Sequence, residues 1–283
     1  LGQTEAPLLV KPYIKKMTQS ELMCLMTGGM ATIAGGVFAA YVALLGGSDS
    51  EESLKFATIL LTASIMNAPA GIVMSKIFQP ENIDNSINKN LDLSNEDLGS
   101  NAIHALAKGA SDGLKLALNI AAMLLAFLAV VYMLNYFLEF FGDITALNSW
   151  INNFSDGQFD KLSMEFLLGQ VFRVFAFMIG IPWNESALVG SLLGQKFVLN
   201  EFIAYLNLAE MKSAGFLSEK SILISTYALC GFANFSSIAI QIGGIGSMAP
   251  SRQKDISKLG LRALLAATLA TLLTGNIAGF IIA

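Results

Sequence analysis

Five stretches of this chain contain no Asp, Glu, Lys, Arg or His: residues 22–48, 56–75, 116–138, 221–251 and 263–283, of 27, 20, 23, 31 and 21 residues. Each reaches the ~20 residues that a helix needs to cross ~30 Å of hydrocarbon. Composition agrees, because only 13% of the 283 residues are charged, about half the ~25% that covers the surface of a soluble domain. The expected fold is an all-α polytopic membrane protein, with the lipid bilayer as its main surroundings.

Several function classes fall away at once. A net charge of −4 with no clustered basic face argues against nucleic acid as a partner. Cys24 and Cys230 both lie inside uncharged runs, which makes packing their role and a disulfide framework unexpected. The single histidine, His104, sits in the polar 76–115 segment and reads as a solvated residue, since metal and acid–base sites need convergent partners, and no HExxH, CxxC or phosphate-loop motif occurs. An enzyme is therefore not expected, and no cofactor is. The first residue is Leu and no basic leader precedes the first apolar stretch, so the chain reads as the C-terminal part of something longer.

The order of the parts carries more. Residues 1–16 hold Glu5, Pro7 and Pro12 and are too interrupted for a full span; Thr18 and Glu21 then spell a capping box that starts the run 22–48. That run carries Gly28-Gly29 and Gly35-Gly36 around Ala31-Thr32-Ile33. The run 221–251 would reach ~46 Å as one straight helix, and its middle, Cys230 to Ser237, favours other backbone states. Both runs are expected to break in mid-membrane, which is tolerated only where the open backbone is buried or lines a wet cavity. Between 181 and 209, two apolar pieces of 10 and 13 residues flank Lys196 and Glu201. Neither can cross alone, so they are expected to form a re-entrant hairpin. Residues 76–115 read as a polar loop or interfacial segment, 116–138 as a separate span, and 162–182 as an interfacial helix interrupted by Glu165 and Arg173.

A Glu-bearing short segment, a broken span and an intact span thus occur twice, at 1–75 and 184–283. Threading the chain puts 6–21, 76–115 and 252–262 on one side, and these segments hold eleven of the 17 basic residues. The positive-inside rule makes that side cytoplasmic. The two repeats then enter from opposite faces, the inverted topology of many secondary transporters, whose sites lie at the repeat interface near the midplane.

Glu5 and Glu201 are acids in segments that belong in the membrane, where an unpaired charge costs at least ~2.5–3.5 kcal/mol. Lys196, five residues from Glu201, is the nearest candidate partner. Gln3, Thr4, Asn200, Asn234, Ser236 and Ser237 fall at the same inferred depth.

The wording of these segments is specific. Gly2-Gln3-Thr4-Glu5-Ala6-Pro7, Met26 to Gly36, Asn200-Glu201-Phe202, Cys230-Gly231-Phe232-Ala233-Asn234, Gln241-Ile242-Gly243-Gly244 and Ala249-Pro250-Ser251-Arg252 closely resemble the concentrative nucleoside transporters over nearly the whole chain. The resemblance implies a bacterial inner-membrane symporter of nucleosides such as uridine and adenosine, coupled to a cation, assembled as a homotrimer, and matched here over roughly its last two thirds. It implies a transport-domain repeat at 1–75 (half hairpin, broken helix, helix), a cytoplasmic segment at 76–115, scaffold and interfacial helices at 116–183, and the second repeat at 184–283. Gln3, Thr4 and Glu5 match the hairpin tip that meets the nucleobase; Glu201, Asn234 and Ser237 match the groups that hold ribose hydroxyls; Val37 and Phe232 match apolar pocket walls. Leu1, Thr32 and Ile33 match the Na+ site. Proton coupling, or a nucleoside-binding channel or gate without concentrative transport, stays open as an alternative.

Overall fold

The computed structural model describes residues 2–82, 101–155 and 157–281. Among these the regular elements are all helical. The chain divides into two units, one of Leu1–Leu91 with Leu167–Ala283 and one of Asp92–Phe166.

A turn at residues 2–5 and a 3-10 helix, Ala6–Val10, lead into a single helical turn, α1 (Lys11–Ile14). The first long run is broken, as its glycines suggest, into α2 (Gln19–Ala31) and α3 (Gly35–Gly46), and α4 (Ser50–Phe78) is continuous. Thr18 starts α2 with the expected capping box: its hydroxyl accepts from Glu21 N at 3.1 Å, and the Glu21 carboxylate accepts from Thr18 N at 2.8 Å. On α4, Leu54, Leu61, Ile65 and Ile72 form an exposed apolar stripe, while Phe56, Leu60, Ala63, Asn67 and Ala70 face inward. A helix whose outer stripe is as apolar as its core is built for lipid.

In the second unit, α5 (Ala102–Ile144) runs 43 residues, or ~65 Å. Residues 102–115 are therefore helical and continuous with the 116–138 span rather than a loop. The physical reason is that charge marks a segment as wet without making it irregular: Asn101 caps the helix, accepting from His104 N at 2.8 Å, and Ala, Leu and Lys are good helix formers. The part of the polar segment at 83–100 lies outside the described residues. A short helix, α6 (Leu147–Phe154), follows.

The expected helix at 162–182 is shorter, α7 (Met164–Met178), and a bend of 117° turns it into α8 (Trp183–Val198). Arg173, the charge that interrupts the apolar pattern, holds that bend. Its guanidinium lies 4.1 Å from the Trp183 ring centroid and donates to Ser186 Oγ and the Trp183 carbonyl, each at 3.1 Å. The hairpin partner of α8 is α9 (Glu201–Ser213), and the second broken run gives α10 (Glu219–Leu229) and α11 (Phe235–Met248) before the continuous α12 (Gln253–Ile281).

Side-chain register within the first unit gives the directions. Lys76 donates to Ser20 Oγ at 2.7 Å, and Gly71 lies against Gly28, so α2 and α4 are antiparallel. Arg262 donates to Gln79 and Thr274 donates to Asn67, so α4 and α12 are antiparallel. Ile238 meets Gly260 and Ala228 meets Gly275, so the α10–α11 pair runs against α12. Three reversals place α2–α3 antiparallel to α10–α11: the two repeats are inverted. Their shared core mixes large aliphatic residues such as Leu22, Ile245 and Leu264 with methionines and many alanines, among them Met23, Met26, Met30, Ala263, Ala267 and Ala270, and the alanines let helices approach closely where lipid offers no hydrophobic drive.

Candidate functional site at the crossing of the two helix breaks

Both breaks use extended backbone. In the first, Thr32 (φ −109°, ψ 165°) ends α2 and Ala34 (φ −81°, ψ 149°) begins α3. In the second, Cys230 and Asn234 take the same roles for α10 and α11. The breaks meet at Gly231, whose φ of +133° lies in the left-handed region and whose Cβ, if present, would fall 2.5 Å from the Ala31 carbonyl oxygen. Only glycine fits there.

A helix that stops inside a membrane leaves carbonyls to satisfy. In the second break they are taken one by one. Lys196 Nζ donates to Ala228 O at 2.9 Å, Asn67 Nδ2 to Cys230 O at 2.8 Å, and Tyr205 Oη to Thr226 O at 2.7 Å. At the first break, Thr32 Oγ1 donates to Gly28 O at 3.0 Å, and further back in α2 the Met26 carbonyl accepts an additional bond from Gln241 Nε2 at 2.9 Å.

Next to this crossing runs a line of buried polar side chains. Gln3 Nε2 donates to Ser237 Oγ at 3.0 Å, and Gln241 Nε2 donates to Gln3 Oε1 at 3.4 Å. Asn234 caps α11, accepting from Ser237 N at 2.9 Å and Ser236 Oγ at 2.6 Å, while its Nδ2 donates to Glu201 Oε2 at 2.9 Å. Glu201 Oε1 accepts from Tyr41 Oη at 3.3 Å. Glu201 opens α9 directly after the Asn200 cap, which accepts from Ile203 N at 3.0 Å, so the carboxylate sits at the positive end of that helix. Gln3, Glu201, Asn234 and Ser237 are all buried. The set offers amide donors, hydroxyls that both give and accept, and one carboxylate acceptor. Such a set suits a neutral, polyhydroxylated ligand better than a charged one.

The sequence-derived candidates separate accordingly. Gln3, Glu201, Asn234 and Ser237 come together through hydrogen bonds. Thr4 lies beside them with its methyl against Gly244, and Val37 and Phe232 are half-buried on the elements that flank the line. Glu5 turns back over Gly2, where a Cβ would collide with its carboxylate. Thr32 and buried Ile33 occupy the first break, and Leu1 lies outside the described residues. Lys196 does not pair with Glu201: its ammonium donates to Ala228 O and to Thr271 Oγ1, the latter at 3.0 Å. The reason is positional, since Lys196 precedes the hairpin turn and faces the end of α10, whose carbonyls attract a cation.

Three polar contributors were not legible as site residues. Tyr41 carried no polar pattern around it; its only signal is its spacing of four from Val37 on one helix face. Gln241 and Asn67 were visible as amides in otherwise apolar spans, but nothing local pointed them at the opposite repeat.

Comparison with known proteins adds the following. The sequence profile described as Na+ dependent nucleoside transporter C-terminus matches residues 59–279. The chain is 44% identical over 283 residues to the uncharacterized transporter YutK of Bacillus subtilis and 41% identical over 286 residues to an uncharacterized transporter of Haemophilus influenzae, matching all of this chain in both cases. It spans 64% and 63% of the length of those relatives. A solved structure of CNTnw, described as an inward-facing substrate-bound state, superimposes with a TM-score of 0.80 at 39% identity, over 99% of this chain and 61% of that one.

Proposed function

The chain belongs to the concentrative nucleoside transporter family, and from that premise we propose that it serves secondary active symport of nucleosides into a bacterial cell across the cytoplasmic membrane. In this reading a Na+ gradient drives alternating access of a mobile transport domain made of the two inverted repeats, within a homotrimer whose contacts involve the 116–138 segment. The observation that carries the reading is the buried line from Gln3 through Ser237 and Asn234 to Glu201, where the first hairpin tip, the second broken helix and the second hairpin meet beside the crossing of the breaks. Inverted-repeat transporters keep substrate and ion sites at such breaks.

A nucleoside is uncharged, with a flat hydrogen-bonding base and a ribose rich in hydroxyls. Gln3, Thr4 and Glu5 supply groups for the base, Val37 and Phe232 the apolar walls, and Asn234, Ser237 and Glu201 the ribose contacts. A carboxylate can accept two hydroxyls at once through bonds stronger than neutral ones. For the cation, the first break offers neutral oxygens at the negative end of α2, the Thr32 hydroxyl and the Ile33 carbonyl, and the family pattern adds Leu1 as a third contributor. That donor chemistry suits a hard monovalent cation without placing an acid in the membrane.

The test is uptake of labelled uridine and adenosine by the full-length protein in proteoliposomes. Accumulation above equilibrium under an imposed Na+ gradient is expected. Accumulation that follows a pH gradient instead would assign proton coupling, and uptake that only equilibrates would make the protein a channel or gate. Glu201→Gln should weaken every nucleoside by ~1–2 kcal/mol, whichever base it carries, because charge-assisted bonds become neutral ones. Substitutions at Gln3 or Thr4 should alter the uridine-to-adenosine ratio.

A further inference from the structure

Tyr41 lies on α3 one turn beyond Val37 and on the same face, and it has no exposed surface. Its ring is fixed on two sides. It stacks on Tyr205 with centroids 4.2 Å apart and an interplanar angle of 28°, and it tilts against Phe202 at 6.3 Å. Tyr205 is itself anchored, since its hydroxyl donates to Thr226 O at 2.7 Å. Tyr205 also follows Glu201 by four residues on α9, so the carboxylate and the stacking ring leave that helix on the same face. The Tyr41 hydroxyl therefore has one direction available, and that direction ends on Glu201 Oε1 at 3.3 Å.

The carboxylate is thus held at both oxygens, by Tyr41 of the first repeat and by Asn234 of the second. The last torsion of a glutamate is broad, so a carboxylate pinned at one oxygen still swings its plane. Pinned at both, it keeps its remaining lone-pair directions fixed. About four acceptor positions exist on a carboxylate; Tyr41 and Asn234 take one on each oxygen, which leaves acceptor capacity on both oxygens for the hydroxyls of a ligand. We propose that Tyr41 is a positioning residue for Glu201 that sets how strongly the site prefers a ribose diol over a sugar lacking it; this rests on the reading of Glu201 as the sugar-binding acid. Tyr41 stays behind the carboxylate and needs no contact with the ligand. Its bond is longer than the usual 2.5–3.0 Å of an O–H···O contact, so its removal should loosen the preference without abolishing binding.

Equilibrium binding of uridine and 2′,3′-dideoxyuridine to the purified full-length protein at saturating Na+ tests this. Tyr41→Phe should weaken uridine about three- to tenfold, the range of one net hydrogen bond, and leave dideoxyuridine unchanged, so that the ratio of the two narrows by the same factor. Tyr205→Phe, which removes a hydroxyl bound only to backbone, should lower thermal stability and leave the ratio alone. Tyr41→3-fluorotyrosine keeps the ring and strengthens the donor; the ratio should widen, and this isosteric variant decides the matter should the phenylalanine form not fold. Equal weakening of both nucleosides by Tyr41→Phe, no weakening of either, or a ratio insensitive to fluorination would overturn the inference. Glu201→Gln separates the two readings. If that variant leaves the uridine preference intact, the role of Glu201 fails; if it narrows the preference and Tyr41→Phe does not, only the role of Tyr41 fails.

Discussion

Replacing Lys196 by methionine tests whether a buried ammonium at the end of a broken helix stabilises this fold or burdens it. The side chain is 2% exposed and donates to Ala228 O at 2.9 Å and Thr271 Oγ1 at 3.0 Å. Hydrogen bonds to charged groups contribute ~1.5–3 kcal/mol each, and a cation at a helix C-terminus adds up to ~2 kcal/mol in a partly buried setting. Against this stands the several kcal/mol needed to strip water from an ion, which methionine does not incur. Thr271 keeps its own bond to Thr268 O at 3.0 Å, so only the Ala228 carbonyl is stranded. The net expectation is a loss of ~1–3 kcal/mol for Lys196→Met, read as a fall in Tm of about 3–10 °C for the full-length protein in detergent. Lys196→Arg should recover little, because a planar fork does not fit a site shaped for a point charge. The double variant with Glu201→Gln is the sharper measurement. Without direct contact the two losses should add to within ~1 kcal/mol, whereas residues in one bonded pair couple by up to ~3 kcal/mol. A Lys196→Met protein as stable as the parent, or one restored by Glu201→Gln, would refute the assignment of Lys196 to the α10 end.

Two further outcomes follow from the breaks. Gly231→Ala places a methyl 2.5 Å from Ala31 O at a φ of +133°; it should cost more than ~3 kcal/mol and reduce folded yield on size-exclusion chromatography, while Gly28→Ala, with no atom within 4 Å of its Cβ, should be neutral or stabilising by up to ~1 kcal/mol. Thr32→Val removes the hydroxyl at the first break, which also donates to Gly28 O at 3.0 Å; it should raise the Na+ concentration for half-maximal uptake with only a small fall in melting temperature from the carbonyl left unpaired, of about 1 kcal/mol, and uptake indifferent to Na+ would reject a cation role for that break.

Much of the fold was legible because it reflects local transfer energies. Whether 20 consecutive residues prefer hydrocarbon depends on those residues alone, and so does the tendency of Gly28 to Gly36 or Cys230 to Ser237 to leave the helix. The cap at Thr18 was readable for the same reason: it satisfies a backbone donor within three residues. Segment order together with basic-residue bias then sufficed for two inverted repeats. The helix at 102–115 was missed because polarity is silent on backbone conformation.

What the sequence could not decide is which distant group completes each break. Glu201 and its two donors are 160 and 33 residues apart, Lys196 and Thr271 are separated by 75, and Asn67 reaches Cys230 across 163. Spacing of five offered Glu201 to Lys196; the antiparallel crossing gave Lys196 the α10 carbonyl and gave Glu201 the Tyr41 hydroxyl instead. A chain entering hydrocarbon determines from its own residues that its open carbonyls and buried acids must be satisfied, and the packing of one repeat against the other determines by what, because those partners are brought within reach only when the two broken helices cross.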